Sequence, residues 1–169
     1  MPEPTPAEAR FHAVQYHPAI PQNTGNIART CVAFGARLHL IHPMKFEIDE
    51  HRVQRAGLDY WPLLDLTEHA SDDAFLDWLG GREPWLVSKH LDGVSHRFDQ
   101  APYAAGDVLV FGNENTGIPR AWHERWPHRR VHVPMPGPRH GRGNVRSLNV
   151  ANTVAILLAQ ASVAPPPVG

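Results

Sequence analysis

Short apolar runs alternate with amphipathic stretches along most of this chain. The runs predict β-strands at 11–17, 37–42, 85–89, 107–112 and 130–134. Between them, periodic apolar positions predict helices at 26–34, 72–79, 118–125 and 149–161, with a turn at 21–25 and a stop at Gly35. This alternation is typical of an α/β fold, a parallel sheet flanked by helices, whose ligands bind at the carboxyl ends of strands. We therefore expect a site in the loops after Tyr16, Val87, Phe111 and Val133.

Length and composition indicate one soluble globular unit. The chain has 169 residues, of which 42% are apolar and 20% are charged. Proline-rich ends predict extended tails at 1–10 and 162–169 around a single domain at 11–161. The start carries no apolar signal core and the longest apolar run is too short to span a bilayer, so we expect a cytoplasmic location.

Charge is distributed unevenly, although the net charge is only -1. Thirteen acidic residues lie between Glu47 and Asp107, whereas seven arginines lie between Arg120 and Arg146 with only Glu124 against them. Such a dipolar chain suits a protein that meets a polyanion with one face. The glycine-rich stretch 137–144 lacks the lysine and spacing of a nucleotide-binding loop. Its setting favours a flexible loop over an anionic substrate rather than a plain surface loop, with three arginines as candidates for contact: Arg139, Arg142 and Arg146.

The twelve histidines do not form a metal-binding pattern. In HERWPH (123–128) the second histidine stands five residues after the first, and Pro127 breaks the helix that a zinc site of this kind requires. The single cysteine, Cys31, allows neither an internal disulfide nor a four-thiolate zinc site. We therefore expect no metal.

Three polar segments stand where predicted strands end and helices begin. They are NTGNIAR (23–29), FGNENTGIP (111–119) and RSLNVANT (146–153). Arg29 is expected in the first turn of a helix, where the helix dipole disfavours a cation, so a functional role competes with an ordinary ion pair. Gly112 and Gly117 allow close approach of a ligand to the backbone, and Ser147 and Asn149 are also ordinary helix caps.

In this order, and with VPM (133–135) before the last, the three segments resemble the motifs of SPOUT-class S-adenosylmethionine-dependent RNA methyltransferases. Further matching segments, HPAIPQNTGNIART, HPMKF and RAGLDYW, are similar to the short subfamily that methylates the ribose 2′-hydroxyl at the tRNA wobble position. The resemblance covers about residues 11–161. One departure is a longer segment between Met135 and Arg146.

The resemblance implies a C-terminal deep trefoil knot, a homodimer, and tRNA as partner through its anticodon stem-loop. It implies S-adenosyl-L-methionine as cofactor, with S-adenosyl-L-homocysteine as product and no metal. The residues that it places at the cofactor are Ser88, Gly112, Glu114, Val133, Met135, Ser147 and Leu148. Those that it places in catalysis are Arg29, Asn23, Glu114, Ser147 and Asn149.

Within this assignment, Arg29 is expected to stabilise the developing alkoxide, with Asn23 orienting it, and to act on the pocket of the partner subunit. The apolar C-terminal helix, with Val150, Val154, Leu157 and Leu158, is the candidate for the subunit interface. Two alternatives remain open: a methyltransferase of this class that acts on rRNA or another tRNA position, and a non-catalytic RNA-binding knot protein.

Overall fold

The computed structural model, which describes residues 10–49, 59–89, 94–137 and 145–164, contains a parallel seven-stranded β-sheet. All of its strand pairs are parallel, and the spatial order is β3-β2-β1-β6-β4-β7-β5. The strands are β1 (His12–Tyr16), β2 (Arg37–Ile41), β3 (Leu66–His69), β4 (Trp85–Val87), β5 (His96–Arg97), β6 (Val108–Phe111) and β7 (Arg130–His132). The α/β class predicted from the alternation is confirmed.

The described residues contain four α-helices and one short 3₁₀ helix, of which the last α-helix follows the final strand. The α-helices are α1 (Pro21–Phe34), α2 (Asp72–Leu79), α3 (Arg120–Arg125) and α4 (Val150–Val163), and the 3₁₀ helix is Trp61–Leu63. None of these helices is long and apolar enough to cross a membrane. Gly35 ends α1 in the left-handed conformation, with φ of 62°, as its position predicts.

The start of α1 was predicted wrongly. The segment 21–25 is not a turn, because Pro21 occupies the first helical turn, where its missing N–H costs nothing. Arg29 is consequently the ninth residue of the helix and not a cation in its first turn. The helix α4 also continues through Val163, two residues beyond the end predicted at Ala161.

The sheet buries one apolar core on each face. On one face, α1 and α4 pack over Ala13, Leu38 and Leu109. On the other, α2 and α3 cover Val14 and Val110 with large side chains: Phe75, Leu79 and Trp122. Such two-sided burial is the usual condition for a parallel sheet.

The apolar face of α4 belongs to the core of its own chain. Val154, Leu157 and Leu158 are fully buried against α1 and the sheet. These three side chains therefore do not form the subunit interface that the sequence suggested for them.

Three histidines form a hydrogen-bonded chain across the edge of the second core. His12 Nδ1 lies 2.9 Å from His39 Nε2, and His39 Nδ1 lies 2.9 Å from His69 Nε2, across the neighbouring strands β1, β2 and β3. The ring of Trp78 packs against these three histidines, and its centroid lies 4.3 Å from that of the His39 ring. Burial, with the positive charges of Arg37 and Arg82, lowers the pKa of His12 to about 4. Burial, with the neighbouring His12 and His69 and then the same two arginines, lowers the pKa of His39 to about 2.

Candidate functional site

A cleft of about 480 Å³ opens at the carboxyl ends of β1, β4, β6 and β7. This is the end of the sheet that the sequence predicts to bind ligands. The volume and the mixture of apolar and polar walls suit a single small molecule. Every residue predicted at the cofactor lines this cleft: Ser88, Gly112, Glu114, Val133, Met135, Ser147 and Leu148.

Gly112 packs directly against the backbone of Gly117 at this cleft. A Cβ atom at this position would lie 2.6 Å from the carbonyl carbon of Gly117, which real side chains do not tolerate. The missing side chain lets the strand end of β6 turn directly against the segment that follows. Gly117 has φ of 73°, so it too occupies a conformation that favours glycine.

The Glu114 carboxylate ties the loop after β6 to the start of α1. Its Oε2 accepts a hydrogen bond from the backbone N–H of Ala19 at 2.9 Å. Its Oε1 accepts from the side chains of Gln15, at 3.2 Å, and Asn23, at 3.3 Å, and from the Ile20 N–H at 3.3 Å. Because the protein itself supplies these donors, this carboxylate shapes the cleft wall rather than presenting two free oxygens to a ligand.

Asn23 and Asn149 extend this network to α4. The Asn149 Nδ2 donates to Asn23 Oδ1 at 3.0 Å, while Asn149 Oδ1 accepts from the backbone N–H groups of Ala151 and Asn152. Asn149 is therefore the N-cap of α4, as its position predicts. Three residues predicted to be catalytic, Asn23, Glu114 and Asn149, are thus joined by hydrogen bonds. Ser147 lines the same cleft and is exposed.

Arg29 does not belong to this cluster in the described part of the chain. Its side chain is exposed on α1 and does not line the cleft. It stands six residues after Asn23 on the helix, about 9 Å further along the axis and on a different face. The two partners of Asn23 are Glu114 and Asn149, so the structure does not show Asn23 orienting Arg29. Arg29 lies instead near Tyr60, where burial raises the phenol pKa and the arginine charge opposes that shift.

The predicted RNA-binding loop is only partly within the described residues. Arg139 and Arg142 lie outside them. Arg146 is exposed immediately before the cleft residues Ser147 and Leu148. Arg146 does not itself line the cleft, and its contact with RNA stays a prediction.

Sequence reasoning missed two residues at the site: one lines the cleft, and the other is buried behind its wall. Lys89 brings an exposed ammonium group to the cleft directly after Ser88. Gln15 is 1% exposed and links Glu114 to the Thr24 hydroxyl, which donates to it at 2.8 Å. A polar residue at an inward position of a buried strand was the available signal for Gln15. The described residues contain no group of three or more metal-ligating side chains placed to hold a metal ion.

Comparison with known proteins decides the family. The model of the SpoU rRNA Methylase family matches residues 10–159. This chain belongs to the SpoU rRNA Methylase family. A curated relative, the tRNA (cytidine(34)-2'-O)-methyltransferase of Burkholderia cenocepacia, is 40% identical over 152 residues, which are 89% of this chain and 93% of the relative.

Solved structures of family relatives have the same fold. A structure that concerns the 2-OH methylation of C/U34 on tRNA is 41% identical, with a TM-score of 0.76 over 89% of this chain and 93% of the other. The AdoMet-bound rRNA methyltransferase from Sinorhizobium meliloti is 26% identical, with a TM-score of 0.71 over 92% of this chain and 57% of the other. The resemblance inferred from the ordered sequence segments is confirmed.

Proposed function

We propose that this protein transfers a methyl group from S-adenosyl-L-methionine to the ribose 2′-hydroxyl of the wobble cytidine or uridine of tRNA. The observation that carries the proposal is the extent of the similarity: relatives named for position 34 align with 89% of this chain and with most of their own length. The cleft formed by the three polar segments supplies a place for the reaction.

The cofactor fits the cleft by size and chemistry. The apolar walls formed by Val87, Val133 and Leu148 suit an adenine ring, and Ser88 and the backbone around Gly112 offer polar groups. The close packing of Gly112 against Gly117 fixes the backbone of the loop after β6, which lines the cleft. When bound, S-adenosylmethionine supplies an electrophilic methyl group on a sulfonium, and no metal is required.

The proposal also includes one feature of the fold and one of the assembly. The first is a C-terminal trefoil knot, which would bring 133–135 and 147–150 to the cleft beside the loop after β6. The second is a homodimer, which would place Arg29 of one subunit at the cleft of the other. The exposed position of Arg29, away from the cleft of its own chain, supports this arrangement.

The chain's own residues then divide the work of the reaction. The Asn23–Glu114–Asn149 network holds the cleft wall rigid, so that the ribose oxygen and the methyl group are held in line. Arg29 stabilises the negative charge that develops on the ribose oxygen as its proton leaves. Ser147 donates a hydrogen bond to the ribose, a role that its exposure in the cleft supports. Arg146, with Arg139 and Arg142, contacts phosphates of the anticodon stem-loop.

Mapping of 2′-O-methyl groups tests this proposal in the cell. In tRNA from a strain without the gene, the modification should disappear from position 34 of some tRNAs and return when the gene is restored. Loss confined to another tRNA position or to rRNA would instead support the alternative target, which the rRNA in the family's description favours. An unchanged modification pattern would contradict both targets.

A further inference from the structure

The loop after β6 is connected to α2 through His17, a residue outside the cleft. His17 Nε2 lies 2.6 Å from Asp72 Oδ1, and the Tyr16 hydroxyl donates to Asp72 Oδ2 at 3.0 Å. The rings of Tyr16 and His17 stack, with centroids 3.8 Å apart and planes 13° apart. The carboxylate of Asp72, in the first turn of α2, therefore holds two consecutive side chains at the end of β1.

The backbone of His17 needs such a restraint. It has φ of 43°, the only positive φ at a non-glycine residue in the described part of the chain. A non-glycine residue adopts this conformation at a cost, and Pro18 further restricts the residue that precedes it. Strained residues of this kind persist where surrounding contacts fix them, and they concentrate at functional sites.

The main-chain carbonyl of His17 points to the cleft loop. It accepts a hydrogen bond from Asn113 Nδ2. Asn113 Oδ1 in turn accepts from the backbone N–H groups of Asn115, at 2.8 Å, and Thr116, at 3.0 Å. The backbones of Asn113 and Gly117 close this loop with two further hydrogen bonds. Asn113, Asn115, Thr116 and Gly117 all line the cleft, whereas His17 and Asp72 do not.

We propose that His17 is a positioning residue: Asp72 fixes its strained backbone, and its carbonyl sets the 113–117 loop in the shape that binds the cofactor. The inference rests on the proposed function for the identity of the ligand. It predicts that Asp72 affects cofactor affinity although it lies on a helix outside the cleft. The effect depends on the contacts of Asp72 with His17 and of His17 with Asn113.

The test compares Asp72→Ala with Asp73→Ala. Both residues lie in the first turn of α2, so both variants lose one carboxylate from the same helix end. Asp73 is exposed, and its side chain makes no hydrogen bond or ion pair with any described residue, which makes it the matched control. Thermal unfolding of each variant verifies that the measurements are made on folded protein.

The first readout needs no cofactor. In Asp72→Ala, NMR amide-exchange rates of Asn115 and Thr116 should rise at least fivefold, while in Asp73→Ala they should stay within twofold of the wild type. Equal rates in the two variants would overturn the inference, whatever the ligand of the cleft.

The second readout is calorimetric affinity for S-adenosylhomocysteine. Asp72→Ala should bind about tenfold more weakly and Asp73→Ala within twofold of the wild type, a range typical of coupling between sites. In an Asn113→Ala background, Asp72→Ala should weaken cofactor affinity no further, because the hydrogen bond from Asn113 to the His17 carbonyl is already absent. Additive losses would overturn the inference. If the wild-type protein binds no cofactor while amide exchange still differs between Asp72→Ala and Asp73→Ala, the proposed function is contradicted and the inference about His17 is supported.

Discussion

Acid should unfold this protein through the three-histidine chain at the edge of the second core. His39 is fully buried, and its burial lowers the pKa from an ordinary 6.5 to about 2. The unfolded chain therefore binds a proton at His39 at a higher pH than the folded chain does. The associated stability is complete above about pH 6.5 and is lost progressively as the pH falls below that value towards 2.

The magnitude follows from the distance to the ordinary pKa. At pH 5, about 1.5 units below it, proton binding by the unfolded chain at His39 alone costs about 2 kcal/mol of folding free energy. The lowered pKa values of His12 and His69 add to this loss with the same sign. For a domain of this size, such a change is a large fraction of the total stability.

Urea unfolding of the wild type and of His39→Gln, at pH 7.5 and pH 5, measures this loss. The variant should be less stable at pH 7.5, because it loses packing against Trp78, but its loss of stability on acidification should be smaller by about 2 kcal/mol. His128→Gln removes one exposed histidine and serves as the control, with the wild-type pH dependence. If His39→Gln and the wild type lose the same free energy between the two pH values, the reasoning is refuted.

Three further predictions concern the proposed reaction. Arg29→Ala should lower kcat roughly a hundredfold, about 3 kcal/mol, with little change in tRNA affinity; near-normal single-turnover rates at saturating tRNA would contradict the catalytic role. Gly112→Ala should destabilise the fold by about 1–3 kcal/mol and weaken cofactor binding, because its Cβ meets Gly117; unfolding and calorimetry measure both, and unchanged values would contradict the close packing. Changing Arg139 and Arg142 together to alanine should weaken tRNA binding and flatten its log–log salt dependence by up to about two units, with cofactor affinity unchanged; normal binding would make this segment a surface elaboration.

The sequence was sufficient to predict five of the seven described strands and the end of the sheet that carries the cleft. Apolar runs mark β1, β2, β4, β6 and β7 because those strands are buried between helix layers. Two strands, β3 and β5, were missed because they form the sheet edges, where polar residues such as Glu68 and Arg97 interrupt any apolar run.

The connections within the site were not predictable in the same way. The role of Glu114 depends on where α1 begins, and the composition of 21–25 resembles a turn although Pro21 starts a helix. His17 and His39 are the same residue type, and the sequence does not distinguish their roles. His17 has a strained backbone conformation at the end of β1, whereas His39 is buried in the core. The difference comes from residues distant in sequence, such as Asp72 and His69, that only the folded sheet brings together.

Methyl transfer to a defined RNA tests the central claim most directly. Purified protein is incubated with methyl-labelled S-adenosylmethionine and an anticodon stem-loop that has cytidine or uridine at position 34, and the product nucleosides are analysed by mass spectrometry. The account predicts a 2′-O-methylated nucleoside at position 34 and no transfer to the same RNA carrying 2′-deoxyribose at that position. Equal labelling of the deoxy substrate, or no labelling of full-length tRNA or the stem-loop by protein that binds the cofactor, would contradict it.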